Sequence, residues 1–259
     1  MKDTATVVAI IPARYASQRL PAKPLADICG KPMIQHVYER TGRASSVERV
    51  VVATDDERIA TVVREFKGDV MMTPANLQTG TDRIAWAAES LPGADIIINV
   101  QGDEPLIEPA MIDQAVRPLL EDSSILVGTL IRKIEHTDEL LNPGIVKVVI
   151  DQDCDALYFS RSPIPFGRDF PPDKWLHNST YYKHIGLYVF RREFLNRFRS
   201  IPQTPLENAE KLEQLRVLEN GYNIRCSITT FDSIPVDTAE DLERVRSIVN
   251  KTQTLFYTQ

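Results

Sequence analysis

The sequence predicts an α/β protein whose central sheet is mainly parallel. Short runs of valine and isoleucine alternate with helical patterns through the first half of the chain, and such apolar strands are typical of a parallel sheet covered by helices. Charged and turn-forming residues follow several of these strands, where open α/β sheets bind their ligands. The length of 259 residues suits one large domain, or one domain with an insertion. The hydrophobic fraction of 43% and the charged fraction of 25% exclude disordered and fibrous proteins.

The first half of the chain predicts strands that are joined by helices. Strands are predicted at 6–11, 49–54, 70–73 and 96–100. Pro32 suits the first turn of one helix, and Asp55 with Asp56 can cap a second helix that runs through Phe66. A third helix is predicted from Thr81. Because crossovers between parallel strands are right-handed, we expect these strands to form one parallel sheet.

The second half of the chain has strand patterns with shorter connections. Strands are predicted at 125–131, 146–150, 156–159, 185–190 and 224–231, and helices at 207–220 and 238–249. Thr238 can cap the last helix, and the proline-rich residues 163–178 predict a long ordered loop or arm. We therefore expect an α/β core at 1–150 and 206–259, with an inserted region at 151–205, in a single continuous domain.

Charge and cysteine content restrict the class of partner. The formal charge of −6 argues against general nucleic-acid binding, although it allows a small phosphate-bearing molecule. The charge is uneven, because residues 1–40 hold six basic and three acidic side chains. Cys29, Cys154 and Cys226 form no Cys-x-x-Cys pair, which predicts free thiols rather than disulfides or a zinc site. The chain has no apolar run long enough to cross a bilayer, so we expect a cytoplasmic protein without membrane contact.

A basic loop follows the first predicted strand. Residues 11–25 contain Arg14, Arg19 and Lys23, together with three prolines and no acidic residue. Cations at the carboxyl end of a parallel strand lie where phosphates bind, and the prolines lower the entropic cost of ordering the loop. Arginine and lysine both suit a triphosphate, so a phosphate-binding loop is favoured over a solvated turn. The loop lacks the glycine spacing of a P-loop or a dinucleotide-binding fingerprint.

Two acidic residues follow predicted strands. Asp103 lies in the segment QGDEP (101–105), directly after an apolar strand, and Asp237 precedes the last helix. Either residue alone is as well explained as a helix cap or a turn former. Together, two carboxylates at strand ends of one sheet could share Mg²⁺, whose ligands are carboxylate, water and phosphate oxygens. The residues themselves leave both interpretations open.

Two further segments carry candidate site residues. In QTGTDR (78–83), the helix N-terminus and Arg83 favour an anion, but a capped helix with a surface arginine explains the same residues. His184 lies in YKHIGLY (182–188), where polar residues enter a strand, and the histidines share no metal-ligand spacing. No Gly-x-Ser-x-Gly motif occurs, so hydrolysis through a covalent nucleophile has little support.

The motifs form a set that runs in one order along nearly the whole chain. The segments are IIPARYASQRLPAKPL (10–25), GKPMIQHV (30–37), VVATDD (51–56), TGTDR (79–83), INVQGDEPLI (98–107), NPGIVKVV (142–149), ALYFSRSPIP (156–165), KHIGLYVFRREFL (183–195), PLENAEKLEQLRVLENG (205–221) and VDTAEDLERV (236–245). In these segments the chain resembles the 3-deoxy-manno-octulosonate cytidylyltransferase (CMP-Kdo synthetase) family of Gram-negative bacteria.

The resemblance implies a Rossmann-like nucleotidyltransferase core with a mixed, mainly parallel sheet and an inserted β-rich dimerisation region that also binds the sugar. It implies transfer of CMP from CTP to the anomeric hydroxyl of the sugar acid Kdo, for lipopolysaccharide synthesis, by a homodimer with Mg²⁺. The implied catalytic residues are Arg14, Lys23, Asp103 and Asp237, of which Asp103 and Asp237 hold the metal. The implied nucleotide-binding residues are Ala13, Arg14, Ser17, Arg19, Lys23, Thr81, Arg83 and Gln101. The implied sugar-binding residues are Gln101, Arg161, His184, Tyr188, Glu213 and Gln214.

Departures from the family pattern leave alternative sugars open. Gln18 and Ala22 stand where the family loop often has threonine and glycine. Neither change removes a chemical group from the implied reaction, but a modified sugar such as the 8-amino analogue of Kdo, or another acidic nonulosonate, remains an alternative.

A glycosyltransferase is a rival enzyme class. Such an enzyme would typically carry an Asp-x-Asp motif, where this chain has Gly102-Asp103-Glu104.

Overall fold

The computed structural model describes residues 5–16, 20–77 and 79–257. In chain order the first elements are β1 (Val7–Ala13), β2 (Asp27–Ile28), β3 (Lys31–Pro32), α1 (Met33–Thr41), β4 (Arg49–Thr54), α2 (Glu57–Glu65), β5 (Val70–Met72), α3 (Gly80–Glu89), β6 (Ile96–Asn99) and α4 (Pro109–Glu121). They are followed by β7 (Val127–Lys133), α5 (Thr137–Leu141), β8 (Lys147–Ile150), β9 (Ala156–Ser160), α6 (Trp175–Asn178), β10 (Tyr182–Arg191), α7 (Arg192–Phe198), α8 (Pro205–Glu210), α9 (Leu215–Glu219), β11 (Arg225–Ile228) and α10 (Ala239–Tyr257). Short 3₁₀ turns lie at Lys23–Leu25 and Pro172–Lys174. The predicted nucleotide-binding residues Ser17 and Arg19 lie outside the described residues.

The chain divides into two compact units. Unit 1 contains the described residues up to Asp113 together with those from Ser233 onward, and unit 2 is Gln114–Asp232. Unit 1 is therefore discontinuous in sequence. The inserted region predicted at 151–205, with its roles in dimerisation and sugar binding, stays a prediction.

Unit 1 is built on the predicted parallel sheet. Its strands lie in the order β5-β4-β1-β6, and each neighbouring pair is parallel. Ile10 and Ile11 of β1 and Ile97 of β6 have no accessible surface. The apolar runs thus mark strands that are buried on both faces, as the sequence indicates.

The helix α2 begins at a predicted capping residue, and α3 begins close to its predicted start. The Asp56 carboxylate accepts a hydrogen bond from the Arg58 main-chain N–H (3.0 Å) and caps α2. Thr79 caps α3 in a reciprocal pair with Asp82, two residues before the predicted start at Thr81. The side-chain oxygen supplies an acceptor that the first helical turn lacks, which explains why these short polar residues lie at the helix starts.

The last helix is also confirmed, although it is longer than expected. Thr238 accepts from the Asp241 main-chain N–H (3.2 Å) at the start of α10, and the helix continues to Tyr257. Among the described residues, no helix combines the length and the apolar character that a membrane span needs. Cys29, Cys154 and Cys226 are free thiols, as predicted.

Unit 2 has a mixed sheet. β10 pairs antiparallel with β7 and with β8, β8 pairs antiparallel with β9, and β11 pairs in parallel with β7. The pairing of β10 with β7 shifts register between Ile185 and Tyr188. The predicted loop at 163–178 is ordered, since the Trp175 indole N–H donates to the carbonyls of Gly167 (2.9 Å) and Phe170 (2.8 Å).

The single helix predicted at 207–220 is wrong. The chain forms α8 and α9 there, because Lys211 adopts a left-handed conformation with φ 54° and ends α8. The apolar spacing of Leu212, Leu215 and Leu218 suits a continuous helix, but no pattern of residue types reveals a lysine at positive φ, where side chains are disfavoured.

A buried ion pair joins these two short helices. The Arg216 guanidinium binds the Glu207 carboxylate through Nε (2.7 Å) and through Nη2, and both side chains are at least 93% buried. Arg216 also lies 4.7 Å above the Phe198 ring. Breaking such a pair leaves a charge in a place that water does not reach.

We expect Arg216→Met to lower the free energy of unfolding by about 3–5 kcal/mol, because it leaves the buried Glu207 carboxylate without its partner. Urea unfolding monitored by circular dichroism measures the change. The matched control is Arg64→Met, which breaks an exposed pair with Glu57 and should cost at most about 1 kcal/mol. Equal losses for the two variants would contradict a structural role for the buried pair.

Candidate active site

A lysine and two aspartates meet in unit 1. Lys23 Nζ lies 2.6 Å from Asp103 Oδ2 and 3.1 Å from Asp237 Oδ1. The Lys23 side chain is 16% exposed, against 26% for Asp103 and 37% for Asp237. The structure thus brings together three of the residues predicted to carry the chemistry.

Main-chain bonds fix the segments that carry these side chains. The Val236 N–H donates to the Asp103 carbonyl (2.9 Å). Because Val236 directly precedes Asp237, this bond holds the segment of Asp237 against that of Asp103. Val236 is fully buried and packs with Met33 and Val245 in the core. The Asp237 N–H donates to the Asp241 carboxylate (3.1 Å), which ties this acid to the start of α10.

The turn that presents Lys23 depends on an unusual residue. Ala22 has φ 57° and ψ 26°, a left-handed conformation, and its carbonyl accepts from the Leu25 N–H (2.8 Å). A left-handed residue with a side chain costs roughly 1–2 kcal/mol, which gives a physical reason for the glycine expected at this position of the loop. The turn nevertheless forms with alanine and places Lys23 between the two acids.

The electrostatics of the cluster keep Lys23 charged. Burial alone lowers the pKa of the Lys23 ammonium, but the charges and hydrogen bonds of Asp103 and Asp237 outweigh burial and raise that pKa above its ordinary value. The neighbouring Glu104 is 6% exposed, and burial raises the pKa of its carboxyl to about 7. The sequence did not single out Glu104, because residue types alone do not show which of the neighbouring acids Asp103 and Glu104 is buried.

Arg14 and Arg83 lie at the start of α3. Arg14 Nη2 donates to the carbonyls of Leu77 and Thr79, the latter at 3.4 Å. Arg83 is fully buried, contrary to the alternative of a surface arginine, and pairs with Asp55 Oδ2 at 3.0 Å. Burial, the largest influence, lowers the pKa of Arg83, Asp55 opposes it, and the charge of Arg14 adds to the lowering.

The ion pair with Arg83 gives Asp55 a role that the sequence did not predict. The sequence places Asp55 and Asp56 together as helix caps, whereas only Asp56 caps α2 and Asp55 holds Arg83. Arg83 also donates to the Thr73 hydroxyl. Thr81, another predicted nucleotide contact, is 6% exposed. The Arg83 guanidinium thus braces the ends of β4 and β5 against α3.

The turn that carries Gln101 and Asp103 passes close to the end of β1. A Cβ atom built on Gly102 would lie 3.0 Å from the Pro12 carbonyl oxygen and 3.5 Å from a methyl group of Ile11. The glycine therefore allows the turn after β6 to pack against the end of β1.

In unit 2, the predicted sugar-binding residue His184 contacts the Thr129 hydroxyl. Thr129 Oγ1 lies 2.8 Å from the Leu187 carbonyl and 2.9 Å from His184 Nε2. Because a carbonyl has no hydrogen to give, Thr129 donates to Leu187 and must accept from His184. His184 is then a neutral ring with its hydrogen on Nε2.

The His184 ring is held in an environment that disfavours charge. It lies 5.2 Å from the Phe159 ring and 5.2 Å from the Tyr188 ring, centre to centre. Although His184 keeps some accessible surface, the protein atoms crowded around its ring lower its pKa to about 3. His184 therefore stays neutral at physiological pH.

Tyr188 adds an unsatisfied polar group to this cluster. Within the described part of the chain, its hydroxyl is buried and makes no hydrogen bond. Burial raises the pKa of Tyr188 well above its ordinary value, and the nearby Glu213 carboxylate raises it further. A buried hydroxyl without a partner is costly, which marks the position as one where a ligand could pair with it.

Arg161, another predicted sugar contact, has partners of its own. Arg161 Nε donates to the Glu210 carbonyl (2.8 Å) and Nη1 donates to the Pro143 carbonyl (3.1 Å). Gln214 is 7% exposed and precedes α9. The structure therefore groups His184, Tyr188 and Glu213, and it shows Arg161 in contact with other residues.

Comparison with known proteins identifies the class. The sequence model of the family described as Cytidylyltransferase matches residues 8–226. Together with the parallel sheet and the acidic pair beyond its strands, this match defines a cytidylyltransferase.

Individual relatives narrow the class to a family. A 3-deoxy-manno-octulosonate cytidylyltransferase of Geobacter metallireducens is 58% identical over 248 residues, which cover 92% of this chain and 96% of that protein. The protein of the same name from Geobacter sulfurreducens is 57% identical over 248 residues, with 92% and 97% covered. The solved structure of CMP:2-keto-3-deoxy-manno-octonic acid synthetase complexed with CTP superposes with a TM-score of 0.90 at 43% identity, covering 96% of this chain and 100% of that chain. This chain belongs to the 3-deoxy-manno-octulosonate cytidylyltransferase family.

These comparisons confirm the resemblance seen in the motifs. The names of the relatives give no support to the alternatives of an 8-amino sugar or another nonulosonate.

The state of His184 predicts a pH dependence of stability. The folded-state pKa of about 3 lies below the value of about 6.5 in the unfolded chain, so the unfolded state binds the extra proton and stability falls as pH falls below about 6.5. Between pH 7 and pH 5, we expect His184 to contribute a loss of about 2 kcal/mol. Urea unfolding at both pH values should show a loss about 2 kcal/mol smaller for His184→Gln than for the unmodified protein. An identical loss in both would contradict a neutral, buried His184.

Proposed function

We propose that this protein transfers CMP from CTP to the anomeric hydroxyl of 3-deoxy-manno-octulosonate and releases pyrophosphate. The observation that carries this proposal is the meeting of Lys23, Asp103 and Asp237 in a chain 58% identical to a protein named for that activity. The product would supply lipopolysaccharide synthesis. Both the nucleotide and the sugar acid are anionic, so the site must offer positive charge for one and selective hydrogen bonds for the other.

CTP binds to unit 1 in this proposal. Lys23 and Arg14 supply positive charge to the phosphates, since Arg14 is held by main-chain carbonyls, which do not cancel its charge. Arg83 is neutralised by Asp55, so its contribution is to hold the start of α3, not to attract the nucleotide. Ala13, Thr81 and Gln101, with Ser17 and Arg19, are proposed to complete the nucleotide contacts.

Asp103 and Asp237 would hold Mg²⁺. Their fit to the metal rests on two features: both carboxylates already bind one cation, the Lys23 ammonium, and carboxylate oxygens are ligands that Mg²⁺ prefers. The described ranges contain no group of three or more histidine, cysteine, aspartate or glutamate side chains suited to a metal, so water and phosphate oxygens would complete the shell. Bound there, Mg²⁺ would neutralise phosphate charge and lower the pKa of the attacking hydroxyl.

The sugar acid would be recognised by unit 2. The neutral His184 gives its Nε2 hydrogen to Thr129, which leaves Nδ1 to accept a hydrogen bond from a sugar hydroxyl. The Tyr188 hydroxyl can donate to another sugar oxygen. Arg161 is proposed to attract the carboxylate, and Gln101, Glu213 and Gln214 to contact the sugar hydroxyls.

The chemistry is an in-line displacement at the α-phosphorus of CTP. The anomeric hydroxyl attacks, and pyrophosphate leaves on the opposite side. Lys23 and Arg14 stabilise the charge that develops on the leaving pyrophosphate, an effect that is strongest where donors are already in position.

The proposal is tested by the release of pyrophosphate from CTP and 3-deoxy-manno-octulosonate in the presence of Mg²⁺. We expect Asp103→Asn to lower kcat at least about a hundredfold, because it removes an anionic ligand of the proposed metal, whose positive charge balances the phosphates. Asp69→Asn is the matched control, since it removes the same charge from an exposed pair with Arg49. Near-normal turnover of Asp103→Asn would overturn the metal assignment, and no pyrophosphate from the unmodified protein would overturn the proposed function.

We also propose that the protein acts as a cytoplasmic homodimer through residues 151–205. Leu157 is 62% exposed and Phe166 is 75% exposed, and a dimer interface at 151–205 would cover these apolar side chains. Light scattering should report a dimer for the unmodified protein and a monomer for the double variant Leu157→Asp, Phe166→Asp. A monomeric unmodified protein, or a dimeric variant, would contradict this assignment.

A further inference from the structure

The contacts of Lys23 bear on how a metal reaches the acids. The ammonium binds one oxygen of Asp103 and one of Asp237, at 2.6 Å and 3.1 Å. These are two of the four oxygens that the carboxylates of Asp103 and Asp237 could offer to the proposed metal. Since the Lys23 side chain is only 16% exposed, it is inserted between the carboxylates and does not lie loosely over them.

An ammonium and a divalent cation are competitors at this position. Each neutralises the repulsion between the two carboxylates, and each needs their oxygens. If both remained, the two positive charges would lie within a few ångströms of each other in a partly dehydrated place, where like charges repel strongly. The metal can therefore bind fully only when the lysine leaves.

The turn around Lys23 allows the side chain to move away from the two acids while the backbone stays in place. The Lys23 N–H donates to the Leu20 carbonyl (3.2 Å), and its own carbonyl accepts from Ala26 (3.1 Å). The main chain is thus fixed on both sides, whereas the four-carbon side chain is flexible and ends in a compact charge. A nucleotide triphosphate offers that charge a new set of anionic oxygens.

We infer that Lys23 closes the metal site until a nucleotide draws its ammonium onto the phosphates. The inference rests on the proposed function and adds a role for Lys23: it is a positioning residue that makes metal binding depend on nucleotide binding. Without nucleotide, the pair of acids is occupied by the protein's own cation. With nucleotide, the same lysine balances phosphate charge and frees both acids.

The first test measures Mn²⁺ binding without nucleotide, from the loss of the free-ion signal in electron paramagnetic resonance. If the form of the protein in which Lys23 has left the acids makes up about a tenth or less of the molecules, the apparent Kd for Mn²⁺ is raised about tenfold or more. Lys23→Gln should therefore bind Mn²⁺ with a Kd at least about tenfold lower than the unmodified protein. An unchanged or weaker affinity would overturn the inference.

Two control variants locate the effect. Lys31→Gln removes a lysine that pairs with Glu39 elsewhere in unit 1 (2.8 Å), and should leave the Mn²⁺ affinity unchanged. The double variant Lys23→Gln, Asp103→Asn should lose the gain of Lys23→Gln. A gain that persists without the Asp103 carboxylate would place the metal elsewhere and overturn the inference.

A second measurement uses the unmodified protein and does not depend on how a variant folds. Acetylation of lysines by an activated ester, followed by peptide mass spectrometry, should label Lys23 slowly in EDTA. As Mn²⁺ is raised to saturation, labelling of Lys23 should increase several-fold while that of Lys31 stays constant. Saturation of the acids by Mn²⁺ with no change at Lys23 would show that the two cations bind together, contrary to the inference.

The inference and the proposed function fail separately. A protein that releases pyrophosphate but shows neither effect of Lys23 on Mn²⁺ keeps its proposed function and loses the inference. A protein that shows both effects but releases no pyrophosphate keeps the lysine exchange and loses the proposed substrate chemistry.

Discussion

One ammonium group joins three segments that are far apart in the sequence. Lys23 lies 80 residues from Asp103 and 214 residues from Asp237, yet its nitrogen binds both carboxylates. Each segment needs its own support: the Ala22 turn for the lysine, the Gly102 turn for one acid, and the Asp241 cap for the other. The parallel sheet and the buried Val236 hold these supports in register. The fold of unit 1 is thus organised around a charge balance that no single segment could establish.

Unit 1 and unit 2 offer different kinds of polar group to their proposed ligands. Unit 1 brings full charges together, since Lys23 lies between Asp103 and Asp237, and Lys23 and Arg14 are proposed to bind phosphate. Around His184, unit 2 presents neutral polar groups, since crowding keeps His184 uncharged and the Tyr188 hydroxyl is kept protonated. Charges attract any anion, whereas neutral donors and acceptors in fixed positions distinguish one pattern of sugar hydroxyls from another. This division matches the two substrates of a cytidylyltransferase.

The sequence was sufficient for the elements whose cause is local. Apolar runs predicted the parallel strands, and Asp56 and Thr238 predicted helix starts, because burial and capping depend on residue type and spacing. It was insufficient where a partner comes from elsewhere. Nothing near Arg83 in sequence indicates that it is buried against Asp55, and nothing near Lys211 indicates a left-handed backbone. The site residues could be chosen by type and resemblance, but the bridge from Lys23 to both acids is a tertiary fact.

The discontinuity of unit 1 has a consequence for the order of synthesis. A ribosome makes Lys23 and Asp103 first, then all of unit 2, and only afterwards Val236 and Asp237. Until those residues emerge, the Asp103 carbonyl has no Val236 partner and the lysine has only one of its two acids. The nascent chain can therefore form much of its sheet early, yet it cannot place Lys23 between both acids before unit 2 has been translated. The path of the polypeptide itself thus keeps this cluster from forming in incomplete chains.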